Sequence, residues 1–283
     1  MEKNLKFISN IFTHKVIDEC IKLRENTMYN CICDNFPLSQ NNLLNKEIIK
    51  NYYKYLLKNY KHEYIFKNML LNKLLLGVHN INTSSVLAEL PVANSKADFI
   101  LINGKAVLYE IKTEFDNLVR LENQLSDYYK AFPEIYIVIS YNDKAKINHL
   151  LNLENIGIIA LQKNNRFKTI RIAKAYYDKL DPICMFKILR KHEFEQVLMQ
   201  KFGKLPQTNQ FEYYDMCLEM FEKIELLEAN QLFFKELKKR PKVNVECFFK
   251  IPYELKLLAY LKEPKETWYK DMFNFLEQKY RSN

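Results

Sequence analysis

The sequence predicts an α/β protein whose mixed sheet sits in the middle of the chain, between helical segments. Three observations carry this. Apolar residues fall at helical spacing over the first 80 residues, short β-branched and aromatic runs replace them over 86–112, and helical spacing alone returns beyond Pro182. With 283 residues, 48% of them hydrophobic and 27% charged, the chain suffices for one large domain or two modest ones.

The elements follow in order. Ile8, Ile11 and Phe12, then Ile48, Tyr52, Tyr55 and Leu56 beyond Pro37, mark helices, and a third helix is expected from about Tyr60 to Leu76, stopping at Gly77. Residues 86–91, 97–102 and 105–112 read as three strands of a meander, with turn signals at Asn94-Ser95 and Asn103-Gly104. Leu118, Leu121, Leu125, Tyr128, Tyr129 and Phe132 restore the helical period before Pro133, and Ile135–Ser140 is an almost wholly apolar strand. A helix between two strands of one sheet is the crossover that makes them parallel. Gly157–Leu161 and Lys168–Ile172 extend the sheet, and helices are expected near 183–201, 210–239, 253–262 and 265–280. The chain thus divides into an N-terminal helical segment (1–59), an α/β core (60–181) and a C-terminal helical region (182–283).

Composition excludes several functions. The four glycines stand alone, so neither a Walker loop nor a GxGxxG turn exists. A formal charge of +9, spread along the chain, favours an anionic partner such as nucleic acid. The six cysteines are scattered; Cys31 and Cys33 have no second pair at zinc-finger spacing, so free thiols are expected. The five histidines include no HExxH. There is no apolar leader and no run long enough to span a bilayer, so a cytoplasmic protein without a membrane partner is expected.

The chemistry sits on the third strand. Glu110 and Lys112 are two apart, so both leave the same face, roughly 7 Å apart at Cα. Their neighbours Val107, Leu108, Tyr109 and Ile111 are what a buried strand carries, and two charges among them are costly unless paired or metal-bound. Asp98 poses the same question one strand earlier. A strict two-residue turn at Asn103-Gly104 sets Asp98 opposite Tyr109, on the wrong face; a three-residue loop, Asn103 to Lys105, sets it opposite Glu110. The second arrangement, or an equivalent bulge or bend near Asp98, is expected.

Asp98, then Glu110-Ile111-Lys112 and a following helix, resemble the PD-(D/E)XK nuclease superfamily. The order helix, three-strand meander, helix, strand is also that family's restriction-endonuclease-like core. Gln124 and Tyr128, in QLSDY, resemble the QxxxY motif of the RecB-like branch, and Arg120 extends the same stripe one turn earlier. Glu63 matches the acidic residue that the family's leading helix supplies, with Glu89 on the first strand as the alternative first carboxylate. The stretch from Glu63 to Ser140 also resembles a group of uncharacterised bacterial proteins. One departure is that Lys96-Ala97, not a proline, precedes Asp98.

The resemblance implies a metal-dependent nuclease acting on nucleic acid, DNA first. It implies Mg²⁺ or Mn²⁺ held by Glu63, Asp98, Glu110 and the Ile111 backbone carbonyl, all hard oxygen donors. Lys112 would orient water or stabilise developing charge, while Gln124, Tyr128 and Arg120 position the phosphate. The alternative is a non-catalytic or partner-dependent nucleic-acid-binding or regulatory module on the same fold, in a defence or mobile-element system. A homo-oligomer, or a protein partner held by the C-terminal helices, fits either reading.

Plainer readings stand beside these. An E-x-K strand can be a solvated edge, Glu63 can pair with Lys67 at i+4, and Tyr128 can be core. The basic run Lys235 to Lys242 invites nucleic acid, but cations in the last turn before a proline also complement the helix dipole.

Overall fold

The computed structural model describes residues 2–23, 27–38, 43–240 and 243–280. The chain divides into two compact units, residues 1–78 with 241–283, and residues 79–240. Residues 182–240 therefore belong with the sheet and 241–283 with the N-terminal helices, where the sequence reading sets its boundary at 181/182.

The first unit opens with α1 (Glu2–Ser9), α2 (His14–Leu23), α3 (Thr27–Asn35), α4 (Asn45–Asn59) and α5 (Glu63–Leu70). The expected third helix starts at Glu63 rather than Tyr60, and past Leu70 it widens into a π-helical stretch, Leu71–Val78, which ends one residue beyond Gly77. Buried Asn68 ties α5 into this unit. Its amide donates to the Tyr53 hydroxyl and the Tyr253 carbonyl, both at 3.0 Å, and its carbonyl accepts the Leu257 N–H at 3.0 Å.

The second unit holds one six-stranded sheet in sequential order: β1 (Ser85–Val92), β2 (Ser95–Asn103), β3 (Lys105–Lys112), β4 (Glu134–Ser140), β5 (Gly157–Leu161) and β6 (Phe167–Arg171). β1, β2 and β3 form the expected antiparallel meander, and β4 pairs parallel to β3 after the crossover helix α6 (Leu121–Tyr128). β5 then runs parallel to β4 because of a helix the sequence reading misses, α7 (Lys144–Leu151). It is short and buries only Ile147 and Leu150, too little for a readable period. The Arg171 guanidinium donates to the carbonyls of Leu150, Leu151, Leu153 and Ile156, satisfying the end of α7 and the turn after it.

Helices α8 (Pro182–Ile188), α9 (Lys191–Phe202), α10 (Tyr213–Glu222) and α11 (Leu226–Lys238) complete this unit. The two long helices expected here are four. Leu189-Arg190 breaks the first, where Glu193 accepts the Arg190 N–H at 2.7 Å, and Lys223 to Glu225 breaks the second. Together with α6 they bury one sheet face, where Ala106, Leu108, Ile135, Ile137 and Ile139 share a core with Leu125, Phe186, Phe221 and Phe233. The chain ends in the first unit with α12 (Val245–Lys250), unforeseen in the sequence reading, α13 (Lys256–Lys262) and α14 (Glu266–Glu277).

The basic run closing α11 is engaged within its own unit. Lys235 donates to Gln200, Lys239 to Glu236, and half-buried Arg240 makes a two-pronged pair with Glu193. Pro241 and Lys242 lie outside the described residues. Among the described residues no helix is long and apolar enough to cross a membrane, and the described cysteines are free thiols.

Candidate active site

Glu110 and Lys112 face α6 from the carboxyl-terminal half of β3, and both are buried. Three donors converge on the Glu110 carboxylate. One oxygen accepts from the Lys112 ammonium and the Gln124 amide, each at 2.8 Å, and the other accepts from the Tyr128 hydroxyl at 2.9 Å. Lys112 also donates to the Gln124 carbonyl at 2.7 Å. The i,i+4 spacing of Gln124 and Tyr128 thus delivers an amide and a phenol to one carboxylate. Tyr128 carries one proton and has two acceptors in reach, Glu110 and the Lys96 carbonyl at 2.8 Å, so it serves one at a time. Burial, and next the Glu110 charge, push its phenol well above the ordinary tyrosine value.

Asp98 stands where the sheet is interrupted. The β2–β3 register matches the longer-loop expectation, running from Asn103↔Lys105 to Phe99↔Tyr109, and then stops one step short of Asp98 and Glu110. Gly104 makes the turn with φ +73°, a backbone region that glycine enters without strain. Beyond the last pair the Asp98 carboxylate accepts the Ile111 N–H at 2.8 Å, replacing a strand partner. The N–H and C=O of one extended residue leave the same side of a strand, so the Ile111 carbonyl also faces β2 past the end of the ladder.

On its other side Asp98 falls opposite Glu89, and the β1–β2 ladder skips that step as well, pairing Ala88↔Phe99 and then Leu90↔Ala97. Glu89 has φ +56°, unusual for a residue with a side chain. The side-chain alternation changes phase there: Ala97 packs in the same core as Ile100, three residues on. A bend near Asp98 is therefore present, shared by both strands. It brings a Glu89 and an Asp98 carboxylate oxygen within 4.8 Å of each other, with Glu89 also ion-paired to Lys96 at 2.6 Å. The β1–β2 turn falls at Ala93-Asn94, one residue before the expected Asn94-Ser95, with Ala93 at φ +50°.

Glu63 opens α5 in the helical unit, with its side chain exposed and ion-paired to the buried Lys67. Arg120 is exposed, and its carbonyl accepts the Gln124 N–H at 3.0 Å. It occupies the position before the first turn of α6, which begins at Leu121 and not near Leu118. The cause is local: Asp116 takes the Thr113 N–H at 2.8 Å and its hydroxyl at 2.7 Å, and Asn117 takes the Val119 N–H at 3.2 Å. Lys96 was passed over, although its place two residues before Asp98 on the same strand was the signal for it.

The chemistry available here is that of hard oxygen donors beside a buried cation and two neutral hydrogen-bonding groups. A family model described as bacteriophage P4 protein cII matches residues 57–259, more than half of the chain. The chain belongs to the bacteriophage P4 protein cII family. That match covers Asp98, Glu110, Lys112, Gln124 and Tyr128. Protein cII of Enterobacteria phage P4 is 27% identical over 166 residues, 56% of this chain and 61% of that protein. The chain thus spans about three fifths of the length of this curated relative. Among solved structures, the SPO1766 protein of unknown function from Silicibacter pomeroyi overlaps 47% of this chain and 88% of its own, with 12% identity and a TM-score of 0.29.

Proposed function

We propose that the chain is a metal-dependent nuclease with a restriction-endonuclease-like core, hydrolysing phosphodiester bonds of DNA. The observation that carries this reading is the closed set of bonds joining Glu110, Lys112, Gln124 and Tyr128, with Asp98 set beside it by an interrupted ladder. A solvated edge strand would not account for it, because Glu110 and Lys112 are 2% and 8% exposed. Strained backbone at Glu89 supports the same reading, since such residues concentrate where function holds them.

The donor set fits a hard divalent cation. Asp98, Glu110, Glu89 and the Ile111 carbonyl would hold Mg²⁺ or Mn²⁺, with Glu63 the alternative first carboxylate. When bound, the ion would acidify water and neutralise charge on the scissile phosphate. The chain's own groups do the rest. Lys112 brings a positive charge to oxygens that become more negative as the bond breaks. The Gln124 amide orients Lys112 and Glu110 together. The raised phenol of Tyr128 stays protonated at any working pH, so it acts as a hydrogen-bond donor and not as a base. Arg120, exposed at the head of α6, is placed to take a neighbouring phosphate.

Calorimetry with Mn²⁺ tests the assignment. The wild type is expected to give a saturable isotherm, and Asp98→Ala to lose it in a protein that melts normally. Superimposable isotherms for the two would contradict the ligand set.

A further inference from the structure

The strand ends beside Lys112 form one edge. β3 finishes at Lys112 alongside Ile139, and β4 finishes at Ser140 alongside Leu161, so the carboxyl ends of β3, β4 and β5 line up. Such edges are where open α/β sheets bind ligands. The segments leaving this one are residues 113–120, the turn before α7, and the β5–β6 hairpin.

The first of these is held in a fixed shape. Besides the bonds from Asp116 and Asn117, Lys146 reaches across from α7 to the carbonyls of Thr113 and Glu114, at 3.2 and 3.3 Å. This bonded loop nonetheless holds two apolar side chains in water, Phe115 at 48% exposure and Val119 at 84%, immediately before exposed Arg120. Further along the edge, the Lys144 ammonium lies 3.6 Å from the centre of the Tyr141 ring. Lys163, Arg166 and Lys168 are exposed on the hairpin and the strand it opens. The Leu161 carbonyl accepts the Tyr141 N–H at 3.0 Å, and Lys168 follows Phe167, the partner of Leu161 on β6, in keeping with a Tyr141 phenol held below its usual value by Lys144 first and then Lys168. The acids do not cancel this charge: Asp143 is paired with Lys146 at 2.7 Å, which leaves Asp116 and Glu114 against Arg120, Lys144, Lys163, Arg166 and Lys168.

Cations alternating with exposed or half-buried rings are the pattern of a surface for unpaired nucleotides, whose phosphates and base faces are both accessible. A duplex hides its base faces in the stack and would offer Phe115 and Tyr141 no base to stack on. We propose that this edge is a track for single-stranded nucleic acid, with phosphates on Arg120, Lys144 and Lys168 and bases against Phe115 and Tyr141. The track leads the strand to Lys112 and Glu110; it rests on the nuclease reading only in taking nucleic acid as the partner.

The test is fluorescence anisotropy of a labelled oligodeoxythymidine of about 20 nucleotides, and of a duplex of equal length, in EDTA so that nothing is cut. The strand is expected to bind at least about tenfold more tightly than the duplex. Phe115→Ala/Tyr141→Ala is expected to weaken strand binding about tenfold or more. Lys144→Ala/Lys168→Ala is expected to reduce the slope of log affinity against log salt by about 1.4. All four positions are exposed or half-buried, so the variants should melt as the wild type does. Duplex binding as tight as strand binding, or an unchanged salt slope, overturns the track. Cleavage of the same strand in Mg²⁺ separates the two claims. Strands cut by a protein whose slope ignores Lys144 and Lys168 would refute the track alone, and strands bound as expected but never cut would refute the nuclease reading alone.

Discussion

Lys112→Met is expected to lower the rate of phosphodiester cleavage by about 10³-fold in a protein that still folds. Two physical facts set this outcome. A charge aimed at developing negative charge inside a buried site contributes on the order of 10²–10³ in rate, and among the described residues no other cation is bonded to Glu110. Folding survives because Glu110 keeps the Gln124 amide and the Tyr128 hydroxyl as donors, and methionine occupies nearly the volume of the lysine stem. Initial rates together with a thermal melt check both halves. A variant with undiminished rate would remove Lys112 from the chemistry.

Glu110→Ala is expected to cost stability in addition to removing a proposed metal ligand. It leaves the Lys112 ammonium buried with only the Gln124 carbonyl, and it leaves the Gln124 amide facing the Tyr128 oxygen at a weak 3.4 Å. Removing one partner of a buried pair costs roughly 3–5 kcal/mol. Tyr128 is spared, because its proton turns to the Lys96 carbonyl. Adding Lys112→Met to Glu110→Ala should therefore restore part of the loss, since an apolar side chain is tolerated where a lone charge is not. Denaturant titrations of the single and double variants decide it. Strictly additive losses would mean that the two charges are not coupled in the fold.

The sequence carried the sheet further than the helices, and for a physical reason. The order of the six strands follows from runs of β-branched residues bounded by turn signals, and the offset between β2 and β3 follows from requiring Asp98 to approach Glu110. The interrupted β1–β2 step did not follow, because a non-glycine residue at positive φ carries no compositional mark; Glu89 was named only as an acid. Helix α7 was hidden because two buried residues make no period, and the break in the 183–201 helix because Glu193 closes it through side-chain bonds to Arg190 and Arg240. The start of α6 was misjudged for the same kind of reason. Leu118 continues the apolar spacing, while the side chains of Asp116 and Asn117 claim the backbone N–H groups of Thr113 and Val119 on either side of it. At the site, Glu110, Lys112, Gln124 and Tyr128 were legible because i,i+2 on a strand and i,i+4 on a helix are fixed geometries, and the structure joins them in one set of bonds.

The most direct measurement is cleavage itself. The wild type and Lys112→Met are incubated with linear and closed-circular DNA, single- and double-stranded, in Mg²⁺ or in EDTA. The account predicts strand scission by the wild type in Mg²⁺, none in EDTA, and scission slowed by about 10³-fold for the variant in Mg²⁺. A wild type that binds the metal yet leaves every substrate intact would contradict it.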